Sequence, residues 1–138
     1  MLTEFILPEE LQKKIDISMN NDLNLLIWLK EEEEPSQHIA NDLILKEELL
    51  NNINIKLLFT DDFKKKDPAI NALLKKCVNK EIYTNLGANL AEAFGRSMFV
   101  NHETLPIVAL CKGNIAIYAF SGYQVGSGNL IEKIIKFV

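Results

Sequence analysis

The fold is decided by residues 105–120, which read LPIVALCKGNIAIYAF near the end of the chain. Leu105 to Cys111 is an apolar run with a proline at its second position, and it predicts a strand. Lys112 to Asn114 has the composition of a tight turn, and Ile115 to Phe120 is a second apolar run. Two strands joined by so short a turn predict a β-hairpin.

A Gly-rich connection and a terminal helix follow the hairpin. The backbone amides of Ser121 to Gly128 could hold an anion, but the glycines match neither a phosphate-binding nor a dinucleotide-binding motif. A turn that lets strand and helix pack is therefore the favoured interpretation. Asn129 with Glu132 has the spacing of a helix N-terminal box. Apolar residues then recur at helical spacing: Leu130, Ile131, Ile134, Ile135 and Val138.

Upstream of the hairpin, two strands flank a long helix. Leu23 to Leu29 is apolar enough for a central strand buried on both faces. Pro35 opens a helix that extends to about Asn51. Ile53 to Phe59 alternates, which predicts a strand with one wetter face. Strand, helix and strand in this order predict a right-handed crossover and a parallel pair.

The remaining segments predict further helices and one short strand. Leu7 to Asn20 has apolar residues at four-residue spacing, with Met19 as the last, and Pro8 suits its first turn. Asp67-Pro68 opens another helix, whose expected inner face carries Ile70, Leu73, Leu74 and Val78. Glu81 to Leu86 fits a short extra strand, and Ala88 to Phe94 a short helix that ends near Gly95.

Composition limits the class of protein. The chain has 138 residues, 48% of them hydrophobic, and a formal net charge of −4. The acidic balance argues against nucleic acid as a partner, since phosphate binding needs a basic face. No apolar run approaches the ~20 residues that span a bilayer, and the first residues lack the features of a secretory signal. These observations predict a single cytoplasmic domain over residues 1–138 with no membrane partner.

This order of elements resembles the thioredoxin-like fold. The resemblance is carried by residues 105–110, the turn at 112–114, Gly122 and the terminal amphipathic helix. It implies an α/β fold with three layers, in which helices flank a mixed central sheet. It also implies a cis peptide bond before Pro106, with a structural role. The core would span about residues 22–138, residues 1–21 would form an N-terminal helical extension, and the segment from Asp67 to Leu86 would be an insertion.

Two further stretches carry a narrower resemblance. They are SGYQVGSGNL at residues 121–130 and EPSQHI at residues 34–39, which follows Trp28. Together they resemble thioredoxin-like domains appended to bacterial transglutaminase-like proteins. This resemblance implies an accessory domain of a larger enzyme.

The sequence departs from the thioredoxin pattern at the catalytic motif. Thioredoxins place Cys-x-x-Cys after the first core strand, at a helix N-terminus that lowers the pKa of the attacking thiol. Here that region reads KEEEEPS at residues 30–36 and has no cysteine. Its four carboxylates would raise the pKa of a nearby thiol. No catalytic residue is therefore expected. Glu31 to Glu34 is interpreted as a solvated loop that helps to start a helix.

The only cysteines and histidines offer little other chemistry. Cys111 lies in an apolar strand, where a cysteine packs as a small hydrophobe. Cys77 has Lys75, Lys76 and Lys80 nearby, which could lower its pKa, although an inert thiol is the favoured interpretation. A disulfide between the two would need Cα atoms within about 7 Å. His38 and His102 lack metal-ligand spacing, so neither metal nor cofactor is expected.

The leading hypothesis from the sequence is a redox-inactive thioredoxin-like domain that binds a protein or peptide partner. One alternative is a single-cysteine thiol peroxidase or oxidoreductase that uses Cys77 or Cys111. The other is the transglutaminase-associated accessory domain. The sequence leaves the oligomeric state open. The candidate interaction surface consists of Trp28, Glu33, Glu34, Pro35, Ser36, Pro106, Gly122 and Tyr123.

Overall fold

The structure is a computed structural model that describes residues 4–15 and 22–138. Its strands are β1 (Phe5–Ile6), β2 (Leu23–Trp28), β3 (Asn54–Leu58), β4 (Lys80–Tyr83), β5 (Ile107–Lys112) and β6 (Ile115–Ser121). Its helices are α1 (Glu9–Lys14), α2 (Glu34–Ile44), α3 (Glu47–Asn52), α4 (Pro68–Lys76), α5 (Ala88–Met98) and α6 (Ser127–Phe137). None of the helices in these ranges is long and apolar enough to cross a membrane.

The strands form one mixed sheet with the order β1-β6-β5-β2-β3-β4. β2 and β3 are parallel, as are β3 and β4, whereas β5 pairs antiparallel with both β2 and β6. The predicted hairpin, parallel pair and extra strand are thus confirmed. Trp28 at the end of β2 pairs with Ile107 at the start of β5. This register brings the loop after β2 and the turn before β5 to the same edge of the sheet.

Helices cover both faces of the sheet, which confirms the three-layer architecture. Alternate residues of β2 point to opposite faces, as in any strand. Leu25 and Ile27 join a cluster with buried residues of α2, α4 and α6, whereas Leu26 and Trp28 join a second cluster with α1 and α5. The continuous apolar run of β2 is therefore explained by burial on both sides.

Two predictions for the middle of the chain are wrong. The helix expected from Pro35 to about Asn51 is two helices, because the backbone of Lys46 (φ −104°, ψ 60°) is not helical. The Lys46 ammonium instead reaches Asn129 of α6. β3 has no wet face either, since Lys56 is only 3% exposed. Burial of its charge is compensated by Glu81 on β4, whose carboxylate lies 2.6 Å from the ammonium.

The ends of three helices also differ from the predictions. α4 ends at Lys76, so Val78 is 64% exposed and Cys77 takes the buried position. α5 continues through Gly95 to Met98 and ends at Phe99, which is left-handed (φ 57°). Gly95 is required for packing, because an added Cβ would come within 2.6 Å of the His102 Cβ. α6 begins at Ser127 after Gly126 in a left-handed conformation (φ 94°), so Asn129 does not cap it.

Three further predictions for the two ends of the chain also differ from the structure. Leu130 and Val138 are each 37% exposed, so the inner side of α6 is formed by Ile131, with Ile134 and Ile135 packed against the same cluster. Pro8 precedes α1 and is not in its first turn. The expected helix beyond Ile15, including Met19, lies outside the described residues. β1 was not predicted; it is a two-residue strand paired with β6.

Candidate functional site

The N-terminus of α2 lies where a thiol motif of the thioredoxin type would stand. Glu33 is the N-cap residue and makes no side-chain hydrogen bond to the helix, and Pro35 lies in the first turn. Ser36 is fully buried, and its hydroxyl accepts a hydrogen bond from the Lys30 N–H at 2.9 Å. The four-residue spacing of Cys-x-x-Cys, counted from the N-cap, falls on Glu33 and Ser36. Neither side chain can act as a thiol nucleophile.

Asp67 holds the loop after β2 in place. It is fully buried, and one carboxylate oxygen accepts the backbone N–H groups of Ala69 and Ile70 at the start of α4. The other oxygen accepts the Glu32 N–H at 2.8 Å and the Gln37 side-chain amide at 3.2 Å. The sequence predicts Asp67 at a helix start but carries no signal for bonds to residues 30 and 35 positions away, and this positioning role was missed.

The acidic run after β2 is only partly solvated. Glu32, Glu33 and Glu34 are exposed, as expected. Glu31 differs, because its carboxylate accepts the backbone N–H groups of Lys64 at 2.6 Å and Lys66 at 2.7 Å. These bonds tie the loop after β2 to the loop after β3. A cleft of about 200 Å³ opens between the two loops.

The loop after β6 packs beside the proline turn. The Leu105–Pro106 peptide bond is cis, as the resemblance implies. The Gly122 N–H donates to the Pro106 carbonyl at 2.8 Å. Gly122 has a φ of +80°, and an added Cβ would lie 3.2 Å from the Thr104 methyl group, so this position needs glycine.

Tyr123 connects the same loop to α2. Its hydroxyl donates to the Asp42 carboxylate at 2.9 Å, and its ring lies 5.1 Å from the His38 ring. Burial, the hydrogen bond to Asp42 and the negative charge of Asp42 all raise the pKa of the Tyr123 hydroxyl. The Gly128 N–H also donates to Asp42. Because a carboxylate of the chain already holds this amide of α6, the structure favours a packing turn over an anion site.

The eight predicted surface residues fall into three groups. Trp28, Ser36 and Pro106 are buried, and Trp28 packs on Phe94 with ring centroids 5.8 Å apart. Gly122 and Tyr123 are half-buried. The residues that offer exposed side chains are Glu33, Glu34 and Pro35.

Both cysteines are free and buried, and they lie on opposite faces of the sheet. Cys77 belongs to the cluster under α2 and α4, and Cys111 to the cluster under α5. The sheet between them excludes a disulfide. Burial raises the pKa of Cys77 to about 11, although Lys80 works to lower it, and burial raises that of Cys111 to about 12. Burial therefore outweighs the lysine charge that could lower the pKa of Cys77.

The histidines do not build a metal site. His38 lies 3.0 Å from the Glu34 carboxylate, one turn earlier on α2. The His102 ring lies 3.9 Å from the Glu103 carboxylate in the loop before β5. Within residues 4–15 and 22–138, no group of three or more His, Cys, Asp or Glu side chains is arranged to hold a metal ion.

A mixed sheet between helical layers, with a cis-proline turn beside the loop after its central parallel strand, defines a protein of thioredoxin-like fold. In this one the helix N-terminus carries no thiol. Solved structures agree on the fold. A thioredoxin-like protein in its oxidised form superimposes with a TM-score of 0.60 and 12% identity, over 96% of this chain and 94% of that chain.

Two other solved structures give similar values. Peroxiredoxin Q of Xanthomonas campestris has a TM-score of 0.57 and 11% identity, over 86% of this chain and 80% of its own. The exposed lipoprotein thioredoxin of Streptococcus pneumoniae has a TM-score of 0.56 and 12% identity, over 87% of each chain. No protein-family model and no curated protein matches the chain. At these identities the likeness shows the fold and not the activity.

Proposed function

We propose that this chain is a redox-inactive thioredoxin-like module that binds a protein or peptide partner. The proposal rests mainly on the α2 N-terminus, where Glu33 and Ser36 stand at the spacing of the two thiols. The proposed contact region is the exposed loop from Lys30 to Pro35, with the Gly122–Gly126 loop. Two further predictions remain untested. One is that the protein is cytoplasmic, and the other is that it is an accessory domain of a transglutaminase-like protein.

The single-cysteine enzyme is the less supported alternative. A thiol acts as a nucleophile only as the thiolate. With pKa values of about 11 for Cys77 and about 12 for Cys111, almost none of either thiol is ionised at neutral pH. Neither thiol lies at a helix N-terminus. Cys77 follows the C-terminal end of α4, and Cys111 is inside β5.

Alkylation kinetics test the redox part of the proposal. In the folded protein, both thiols should react with iodoacetamide at least tenfold more slowly than a free cysteine of pKa about 8.5, at every pH between about 6 and 9. Mass spectrometry of peptides containing Cys77 and Cys111 gives the two rates separately. Urea-unfolded protein is the control and should react fully. A fast, pH-sensitive reaction at either residue of the folded protein would favour the single-cysteine enzyme over this proposal.

Peptide selection tests the binding part. We expect peptides selected on the wild-type protein to lose about tenfold or more in affinity when Glu33→Lys and Glu34→Lys are combined. Charge reversal at a contact alters electrostatic complementarity, and like-charge contacts cost several kcal/mol. Glu47→Lys with Glu48→Lys is the matched control, because it reverses two exposed charges on α3. Equal losses in both double variants, or peptides that bind both equally well, would contradict the proposed surface.

A further inference from the structure

Residues 64–66 form a backbone site for an oxyanion, here called the 64–66 nest. Lys65 has a φ of 59°, in the left-handed region. The N–H groups on either side of it converge on one carboxylate, with Lys64 N 2.6 Å from Glu31 Oε1 and Lys66 N 2.7 Å from Glu31 Oε2. Successive backbone amides around a left-handed residue are a recurrent way to bind anions. Each carboxylate oxygen therefore has its own donor.

The nest carries more positive charge than the Glu31 carboxylate neutralises. The side chains of Lys64, Lys65 and Lys66 are all exposed. Among the described residues, none of their three ammonium groups has a carboxylate oxygen within 4.0 Å. The Glu31 carboxylate is held through backbone amides alone. Three lysine side chains thus remain available to a second anion that approaches the same loop.

The cleft beside the nest has room for the body of a small ligand. Its volume is about 200 Å³, and Leu29, Phe59 and Thr60 contribute to its walls together with Lys64 and Lys66. Asp61 and Asp62 also line it. These two carboxylates disfavour a dianion such as phosphate more than a monoanion. The charge pattern and the geometry of the bound group both favour a monocarboxylate.

We propose that the 64–66 nest is a binding site for a monocarboxylate ligand, and that Glu31 occupies it as an internal competitor. A ligand carboxylate would take the two amides as Glu31 leaves for solvent. The loop after β2 would then lose these two bonds to the loop after β3 and keep the two bonds to Asp67. Glu31 is half-buried on an otherwise exposed loop, so its side chain can turn to solvent without crossing the core. The inference does not depend on the proposed protein partner.

Chemical rescue tests the inference. Glu31→Ala should lower the Tm, and sodium acetate should restore it relative to sodium chloride at equal ionic strength. The expected recovery is roughly 3–6 °C at an acetate concentration ten times Kd. In NMR spectra of this variant, the Lys64 and Lys66 amide protons should shift with acetate in a saturable manner. In the wild-type protein, the same shifts should need at least about tenfold more acetate, because Glu31 competes at a high effective concentration.

Glu32→Ala is the matched control, since it removes a carboxylate that also lines the cleft but accepts no hydrogen bond from the described residues, and it leaves Glu31 in the nest. For this variant, the Tm in sodium acetate should equal the Tm in sodium chloride. Inorganic phosphate should rescue Glu31→Ala less than acetate does. If Glu31→Ala does not fold, the amide shifts are measured in Glu31→Gln, which keeps one acceptor oxygen. The inference is overturned if acetate acts no differently from chloride, or if phosphate is the better ligand.

Discussion

Replacing Glu81 with Gln is expected to lower the free energy of unfolding by about 2 kcal/mol, because it strands the buried charge of Lys56. The Lys56 side chain is 3% exposed, and its ammonium lies 2.6 Å from the Glu81 carboxylate and 5.9 Å from the centre of the Tyr83 ring. Loss of one partner from a fully buried pair costs about 3–5 kcal/mol. We expect less here, since Glu81 is 43% exposed and water can reach the pair.

The destabilisation caused by Glu81→Gln should become smaller as the pH is lowered. Burial works to raise the pKa of Glu81, but hydrogen bonds from Lys56 and Tyr83 and the charge of Lys56 outweigh it and hold the pKa below its ordinary value. A carboxyl group whose pKa is lowered by folding stabilises the protein above its unfolded pKa. That stabilisation is lost as the pH falls through the folded pKa. The difference between wild type and Glu81→Gln should therefore shrink below about pH 4.

Urea unfolding at pH 7 and at pH 3.5 measures both effects. Lys56→Met is the matched control, because it removes the buried charge and keeps the length of the side chain. The carboxylate left behind is that of Glu81, which is 43% exposed and can be hydrated, so this variant should lie within about 1 kcal/mol of wild type. Two results would refute this account of the pair. In the first, Glu81→Gln is as stable as wild type at pH 7. In the second, Lys56→Met is less stable than Glu81→Gln.

Glu33→Cys combined with Ser36→Cys is expected to give the protein a thiol-disulfide activity that the wild type lacks. The two positions lie three residues apart at the first turn of α2. Residues at that spacing inside a helix have Cβ atoms about 5–6 Å apart, whereas a disulfide requires about 3.5–4.5 Å. Closure therefore depends on the backbone of Glu33, which is extended (φ −106°, ψ 133°) and not helical. The helix N-terminus favours a thiolate at position 33. Reduction of insulin disulfides by dithiothreitol should then accelerate by roughly tenfold or more over wild type.

The surrounding carboxylates set the size of this gain. Glu32 and Glu34 oppose ionisation of a thiol at position 33, so adding Glu34→Gln should increase the rate further. Ser36→Cys alone is the control; it lacks the second thiol and should not cycle. Titration of free thiols in oxidised glutathione shows whether the new pair closes. A folded double variant that never forms a disulfide would mean that the loop geometry, and not the residue types, excludes this chemistry.

Much of the fold could be predicted from the sequence because its signals are local. The proline at position 106, the turn at 112–114 and the apolar run of β2 each report on their own neighbourhood. The break at Lys46 and the buried state of Lys56 could not be predicted in the same way. Helical periodicity continues through Lys46, and an alternating lysine ordinarily marks a wet face. Both are overridden by partners that lie far away in the sequence, Asn129 and Glu81.

The candidate site divides along the same line. By itself, the sequence determined that no thiol pair follows β2, since that statement needs only residue identities. It also predicted that Cys111 would be buried within a strand. Only the tertiary structure decided that Glu31 binds the 64–66 nest, that Asp67 holds the loop after β2, and that Cys77 is buried across the sheet from Cys111. The physical reason is that hydrogen bonds and desolvation act over a few ångströms in space, between residues whose separation along the chain carries no signal.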